Sequence, residues 1–283
     1  ILSAVGKSDR PIERERLALI VQLKLCLFEE GQNMRKVYID SACACHIGMI
    51  RANNEDNFYF EGHHLELINR GLPKTLSSHD SEGGIYAIFD GMGGEEAGET
   101  AAYLASSTLQ DDLNDGKADD LSAFCIHANR RICSYAKRHG DLSMGSTAAL
   151  LRLNNGTAEV ANLGDSKAYL FRQGILTQLS VDHTDAALLA RSGATRKPRL
   201  TQYLGIPEDE MLLEPAYWQG TIAPGDKFLL CSDGLTDMVS EDELRSILTY
   251  DMPVEECADA MVERALSYGG KDNITVIVCV VSS

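Results

Sequence analysis

The spacing of apolar positions changes character repeatedly along the chain. Val37–Ile47 and Asn57–Phe60 are short apolar runs that predict strands, flanking the polar connection Gly48-Met-Ile-Arg-Ala-Asn-Asn-Glu-Asp-Asn57. Residues 62–83, with Pro73 and several Ser and Gly, predict a long surface loop. Ile85–Phe89 then reads as a buried strand that stops at Asp90-Gly-Met-Gly-Gly94. Helical spacing follows over Glu95–Leu109 and Leu121–Arg138, with an acidic linker at 111–120 between them. Glu95, Glu96 and Glu99 fall where the first helix dipole favours negative charge. From Thr147 the period becomes two. Thr147–Leu153, Thr157–Leu163, Lys167–Phe171 and Ile175–Leu179 predict short strands joined at Asn155-Gly156, Gly164-Asp165-Ser166 and Gln173-Gly174. Periodicity fades over 180–210 and resumes as strands at Leu212–Trp218 and Lys227–Ser232. The capping box Ser240-Glu-Asp-Glu243 opens one helix, Pro253–Tyr268 is another, and Ile274–Val281 closes the chain as a buried strand.

This order lacks the regular alternation that builds a parallel doubly wound sheet. It predicts an α+β protein with two mainly antiparallel sheets and helices outside. Residues 1–36 read as a separate helical extension, started by Pro11 and ended by Gly31, with the apolar stripe Leu17, Val21, Leu25 and Phe28. The main domain is expected over 37–283. Beginning at Ile1 rather than Met, the chain reads as a processed, trimmed or excised piece.

Composition narrows the function. A net charge of −16 over 283 residues argues against nucleic-acid binding and suits a site that concentrates cations. The eight Cys form no C-x-x-C pair and sit mostly in apolar runs, which predicts buried reduced thiols and a cytoplasmic protein. Leu17–Phe28 is too short and too interrupted to span a bilayer.

The chemistry gathers at strand ends. Asp90-Gly91 and Asp233-Gly234 each terminate an apolar run, and Asp165, Asp237 and Asp272 lie in turns or at strand ends. Asp is a common turn residue, so any one of these alone reads as structural. Together they predict carboxylates converging on a metal centre. A dinucleotide-binding reading of Asp90–Glu96 fails, because Glu96 stands where G-x-G-x-x-G needs a small residue and the acids would repel phosphate.

Six motifs occur in order: Arg51-Ala-Asn-Asn-Glu-Asp56, Phe89-Asp-Gly-Met-Gly-Gly94, Gly145-Ser-Thr147, Asn162-Leu-Gly-Asp-Ser166, Cys231-Ser-Asp-Gly-Leu-Thr-Asp237 and Asp272-Asn-Ile-Thr275. In this set the chain resembles the metal-dependent (PPM, type 2C) serine/threonine protein phosphatases in their bacterial form, from about residue 37 to the end. The resemblance implies a four-layer α-β-β-α sandwich. It also implies two Mn2+ or Mg2+ ions, with a third in many bacterial members, and hydrolysis of phosphoserine and phosphothreonine by water that the metals activate, without a covalent intermediate. Asp90 would bridge the two ions and the Gly91 carbonyl would bind the second. Asp233 and Asp272 would bind the first, and Glu55 and Asp56 would hold metal-bound water. Asp165 and Asp237, with Asp233, would form the third site, and Arg51 would hold the substrate phosphate.

All-oxygen ligands suit hard ions, and an Arg fork suits phosphate oxygens in a way Lys does not. Eukaryotic members often carry His after the Asp-Gly pair, where this chain has Met92, which leaves water or His183 to protonate the leaving oxygen. Lys167 stands where the family usually has Arg. The partners expected are phosphorylated proteins and a serine/threonine kinase acting on them, with the enzyme a monomer. The basic patch Arg191, Arg196, Lys197 and Arg199 would lie in a flap beside the substrate. The competing readings are a phosphatase-like binding module and a small-molecule phosphomonoesterase.

Overall fold

The computed structural model describes residues 36–67, 74–93, 97–118, 120–140, 143–154 and 156–283. The expected N-terminal helix and its apolar stripe lie outside the described residues, as do Gly94, Glu95 and Glu96. In chain order the elements are β1 (Tyr38–His46), β2 (Asp56–Phe60), β3 (Lys74–Ser81), β4 (Gly83–Met92), α1 (Ala97–Asn114), α2 (Leu121–His139), β5 (Gly145–Ser146), β6 (Ala148–Asn154) and β7 (Thr157–Leu163). They continue as β8 (Lys167–Arg172), β9 (Ile175–Gln178), α3 (Ala186–Ser192), β10 (Ala216–Thr221), β11 (Lys227–Cys231), α4 (Asp233–Thr236), α5 (Glu241–Thr249), α6 (Val254–Ser267) and β12 (Ile274–Ser282).

Two six-stranded sheets result, one ordered β3-β1-β12-β11-β8-β9 and the other β10-β7-β6-β4-β2 with β5 beside β4. The strand pairings are antiparallel. Strand parity then assigns the buried apolar strand residues to layers. Cys43 and Cys45 of β1, Ile277 and Cys279 of β12, and Phe228 and Leu230 of β11 face inward. They meet Phe58, Tyr86, Ile88 and Val160 from the second sheet. The intervening residues face out. Ala42, Ala44, Leu229, Val276 and Val278 pack under α5 and α6, against Leu244, Leu248, Met261 and Ala265. Ala87, Phe89, Leu150 and Ala161 pack under α1 and α2, against Ala101, Ala105, Leu109, Phe124 and Ile132. Strands covered on both faces read as continuous apolar runs, which is why β4 and β12 stand out in the sequence. The architecture is the α-β-β-α sandwich expected.

Four sequence expectations need correction. Residues 62–83 are not all loop, because β3 runs over Lys74–Ser81 and pairs with β1. Its polar Thr-Leu-Ser-Ser-His-Asp sequence hides it, since an edge strand is held by its backbone while its side chains can face water. The strand expected at Leu212–Trp218 is instead β10, Ala216–Thr221. α1 extends to Asn114, into the stretch expected as linker, and α3 forms inside 180–210.

Candidate metal centre

Strand adjacency brings the acids together. β2 and β4 are antiparallel neighbours, with Asp56 directly opposite Asp90. β11 and β12 are neighbours in the other sheet. The chain leaves β11 through Ser232-Asp233 and enters β12 from Asp272-Asn273, so the two acids arrive at the same end. Here the backbones touch: a Cβ on Gly234 would fall on the Asn273 carbonyl oxygen and 3.3 Å from Asp272 Cβ. β7 and β8 belong to different sheets, so the turn holding Asp165 crosses between them at this rim. Thr147 ties that turn to Asp90. Its backbone N donates to the Asp90 carbonyl (2.8 Å), its Oγ1 accepts from Asp90 N (3.0 Å), and it shares a hydroxyl hydrogen bond of 2.7 Å with Ser166.

Each acid is held differently. Asp56 is buried, and its Oδ2 accepts from Ser232 Oγ (2.8 Å) and Thr275 Oγ1 (2.7 Å). Burial pushes its carboxyl up to about 7 against the pull of those two hydroxyls, helped by the charges of Asp233 and Asp272. Asp90 is raised well above the usual carboxylate range by burial, with Asp56, Asp233, Asp165 and Asp272 all adding to the rise. Asp165 is raised to about 6 by burial and the Asp233 charge, with Lys197 opposing. Glu55 is raised by burial, and Arg51 works against that rise. Its backbone N donates to Asn273 Oδ1 at 2.7 Å and its carbonyl accepts from Gly91 N at 3.1 Å. Gly91 has room for no side chain, since a Cβ there would lie 2.6 Å from the Glu55 carbonyl oxygen.

Two cations face these acids. Arg51 Nη2 donates to Asp272 Oδ2 at 2.6 Å, Nη1 lies 3.8 Å from Glu55, and the side chain is 45% exposed. Lys197 Nζ donates to Asp233 Oδ2 (2.8 Å) and to Asp237 Oδ2 (3.0 Å). Asp237 joins Asp233 through α4, its backbone N donating to the Asp233 carbonyl at 2.7 Å. All nine residues singled out from the sequence (Arg51, Glu55, Asp56, Asp90, Gly91, Asp165, Asp233, Asp237, Asp272) therefore gather at one rim of the double sheet.

Three residues had no role assigned by sequence reasoning, and two others had only a general one. Ser232 and Thr275 orient Asp56. Asn273 receives Glu55 N and donates through Nδ2 to the carbonyls of Ile47 (2.8 Å) and Asn53 (2.9 Å), stitching the Arg51 loop to β12. All three stand inside the motifs, so only their function was hidden. Lys197 lay within the basic patch, where nothing in the sequence separates it from Arg196. His183 sits beside the Asp165 turn, its N donating to the Gly164 carbonyl at 3.0 Å. Burial lowers its pKa, and its Nδ1 has no hydrogen-bond partner.

Among the described residues, no group of three or more His, Cys, Asp or Glu stands as a ready-made cage for an ion. The donor set nonetheless fits a hard divalent cation. It is carboxylate and carbonyl oxygen throughout, and its buried acids resist ionisation in one another's presence, which a cation would relieve.

The protein phosphatase 2C family model matches residues 45–188. The serine/threonine phosphatase stp of Listeria monocytogenes is 32% identical over 248 residues, 81% of this chain and 91% of that protein. The serine/threonine protein phosphatase PstP of Mycobacterium tuberculosis is 31% identical over 244 residues, 82% of this chain and 43% of that protein. Among solved structures, PppA, a regulatory component of T6SS in Pseudomonas aeruginosa, superposes with a TM-score of 0.70 at 30% identity, covering 86% of this chain and 98% of that one. The catalytic domain of PstP, solved in complex with 2 manganese ions, gives a TM-score of 0.69 at 30% identity, covering 87% and 100%. An antiparallel double sheet flanked by helix pairs, acids from both sheets meeting at one rim, and relatives above 30% identity that match about four fifths of this chain lead to one conclusion: the chain belongs to the protein phosphatase 2C family.

Proposed function

We propose that the protein is a Mn2+- or Mg2+-dependent phosphatase that hydrolyses phosphoserine and phosphothreonine on proteins. The observation that carries this reading is the meeting of Asp56, Asp90, Asp165, Asp233 and Asp272 beside a half-exposed Arg51. When bound, two such ions supply Lewis acidity toward the phosphoryl group and activate the attacking water, so no Ser or Cys nucleophile is needed. Asp90, Asp233 and Asp272 with the Gly91 carbonyl would hold the core ions. Glu55 and Asp56 would orient water around them, and Asp165 and Asp237 with Asp233 would form an outer cation site. Arg51 reaches solvent from Asp272 and presents its fork to the substrate phosphate. Met92 cannot supply a proton, which leaves water or His183, beside the Asp165 turn, to protonate the leaving oxygen.

Relatives named serine/threonine phosphatase and protein phosphatase support a protein substrate. The chain would act in the cytoplasm as a monomer, opposing a serine/threonine kinase. No helix among the described residues is long and apolar enough to cross a membrane. Residues 37–283 would be the catalytic domain and 1–36 an appended helical segment.

The test is hydrolysis of p-nitrophenyl phosphate and a phosphothreonine peptide by chelator-stripped protein, before and after adding Mn2+. Activity should appear only with Mn2+ and be lost in Asp90→Asn and Asp233→Ala. A folded, Mn2+-loaded protein that hydrolyses neither substrate, or one that keeps full turnover in Asp90→Asn, sinks the reading.

A further inference from the structure

The segment between α3 and Thr201 is fixed at its base and reaches over the metal centre at its tip. Asp185 is the anchor. Its backbone N donates to the Arg199 carbonyl (3.0 Å), its Oδ1 accepts from Arg199 N (2.8 Å), and its carboxylate pairs with the Arg196 guanidinium. Thr201 N donates to the His183 carbonyl at 2.8 Å, and Thr184 bridges Leu200 in antiparallel fashion. The Arg196 guanidinium turns back onto Asp185 and the Arg199 backbone is tied to it, while the Lys197 side chain points away toward the outer acids. Its ammonium sits between Asp233 Oδ2 (2.8 Å) and Asp237 Oδ2 (3.0 Å), and it acts electrostatically on Asp165 as well.

Resting on the metallophosphatase reading above, we propose that Lys197 is a built-in cation of the outer acids. It takes the place between Asp233 and Asp237 that a third divalent ion would need, so the centre holds two ions tightly and a third only when the 193–200 strap withdraws. The geometry separates the outer acids from the core. Lys197 bonds one oxygen of Asp233, and none of its hydrogen bonds goes to Asp90 or Asp272. Two core ions and the lysine are therefore compatible, whereas an ion at Asp237 and the lysine compete for the same oxygens. A monovalent ammonium on a flexible stem is also the weaker occupant, which makes the contact displaceable.

The test counts Mn2+ on the full chain, by equilibrium dialysis and titration calorimetry after chelator stripping, in wild type, Lys197→Met and Lys197→Arg. The wild type should bind two ions tightly. Lys197→Met should gain a third, about tenfold or more tighter than any third ion in the wild type, the scale of losing two exposed charge contacts and a repulsion. Lys197→Arg should keep the count at two. Lys197→Gln serves should the Met variant fail to fold. Metal-free Lys197→Met should also melt lower and be raised further by Mn2+. Equal counts and affinities in wild type and Lys197→Met overturn the inference, as does a wild type that binds three ions with similar affinity. Asp233→Asn separates the two claims, because undiminished Mn2+ binding there refutes the metal reading itself, whatever Lys197 does.

Discussion

Asn273 gives the sharpest test of how the site is built. The residue is 4% exposed, and its side chain makes three hydrogen bonds: Oδ1 accepts from Glu55 N at 2.7 Å, and Nδ2 donates to the Ile47 and Asn53 carbonyls at 2.8 and 2.9 Å. Asn273→Ala deletes all three and leaves a backbone N–H and two carbonyls without partners. Each such group costs about 1–3 kcal/mol when buried, but water can reach part of this half-exposed loop, so the sum expected is about 2–4 kcal/mol. The assay is urea unfolding of the metal-free protein, read as a lower midpoint at unchanged slope. The same loop carries Arg51, so the KM for a phosphoester should rise as well. Asn273→Asp discriminates further. It keeps the acceptor for Glu55 N but loses both donors and sets a charge beside Asp272, so it should be less stable than the Ala variant. A midpoint shift worth under about 0.5 kcal/mol in Asn273→Ala with unchanged KM would refute the reasoning, as would an Asp variant more stable than the Ala variant.

Arg51→Ala should raise KM about tenfold or more, the loss of a charged hydrogen bond to phosphate, while Mn2+ affinity stays within about twofold; equal losses in both would remove Arg51 from its role. The raised carboxyls give a pH signature with a definite sign. Asp56 and Asp165 titrate near 7 and 6 when folded, above the usual carboxylate range, so the stability they lend the metal-free protein is present at low pH and lost as pH rises from about 4 toward 7. Over that window Mn2+ should bind more tightly and release protons, measurable by calorimetry in buffers of different ionisation enthalpy; binding that releases none counts against the assignment. Gly234→Ala should destabilise the fold by about 1–3 kcal/mol, because its Cβ falls on the Asn273 carbonyl, and an unchanged melting temperature would contradict that close approach. Ser232→Ala with Thr275→Val should weaken Mn2+ binding by freeing Asp56 to rotate; wild-type affinity in the double variant would show that the hydroxyls do not position it.

Much of this protein is written locally. The runs ending in Asp90 and Cys231, the Gly-Asp-Ser turn at 164–166 and the capping box at Ser240 each announce an element through period, punctuation or side-chain chemistry. Their order along the chain was enough to predict antiparallel sheets with outer helices, and the acids at strand ends enough to predict a cation. Edge strand β3 was not legible, because pairing through the backbone leaves no apolar alternation to read. Nor was the division of labour within the site. That Ser232 and Thr275 serve Asp56, that Asn273 holds the loop of Arg51, and that Lys197 rather than Arg196 reaches Asp233 depend on contacts between residues 11 to 220 positions apart. Residue order alone specifies which residue types could make a metal centre and which elements would carry them. Which hydroxyl, amide and ammonium meet each carboxylate is set by the packed fold, because hydrogen bonds act over about 3 Å and strand register and loop docking choose who stands within that reach.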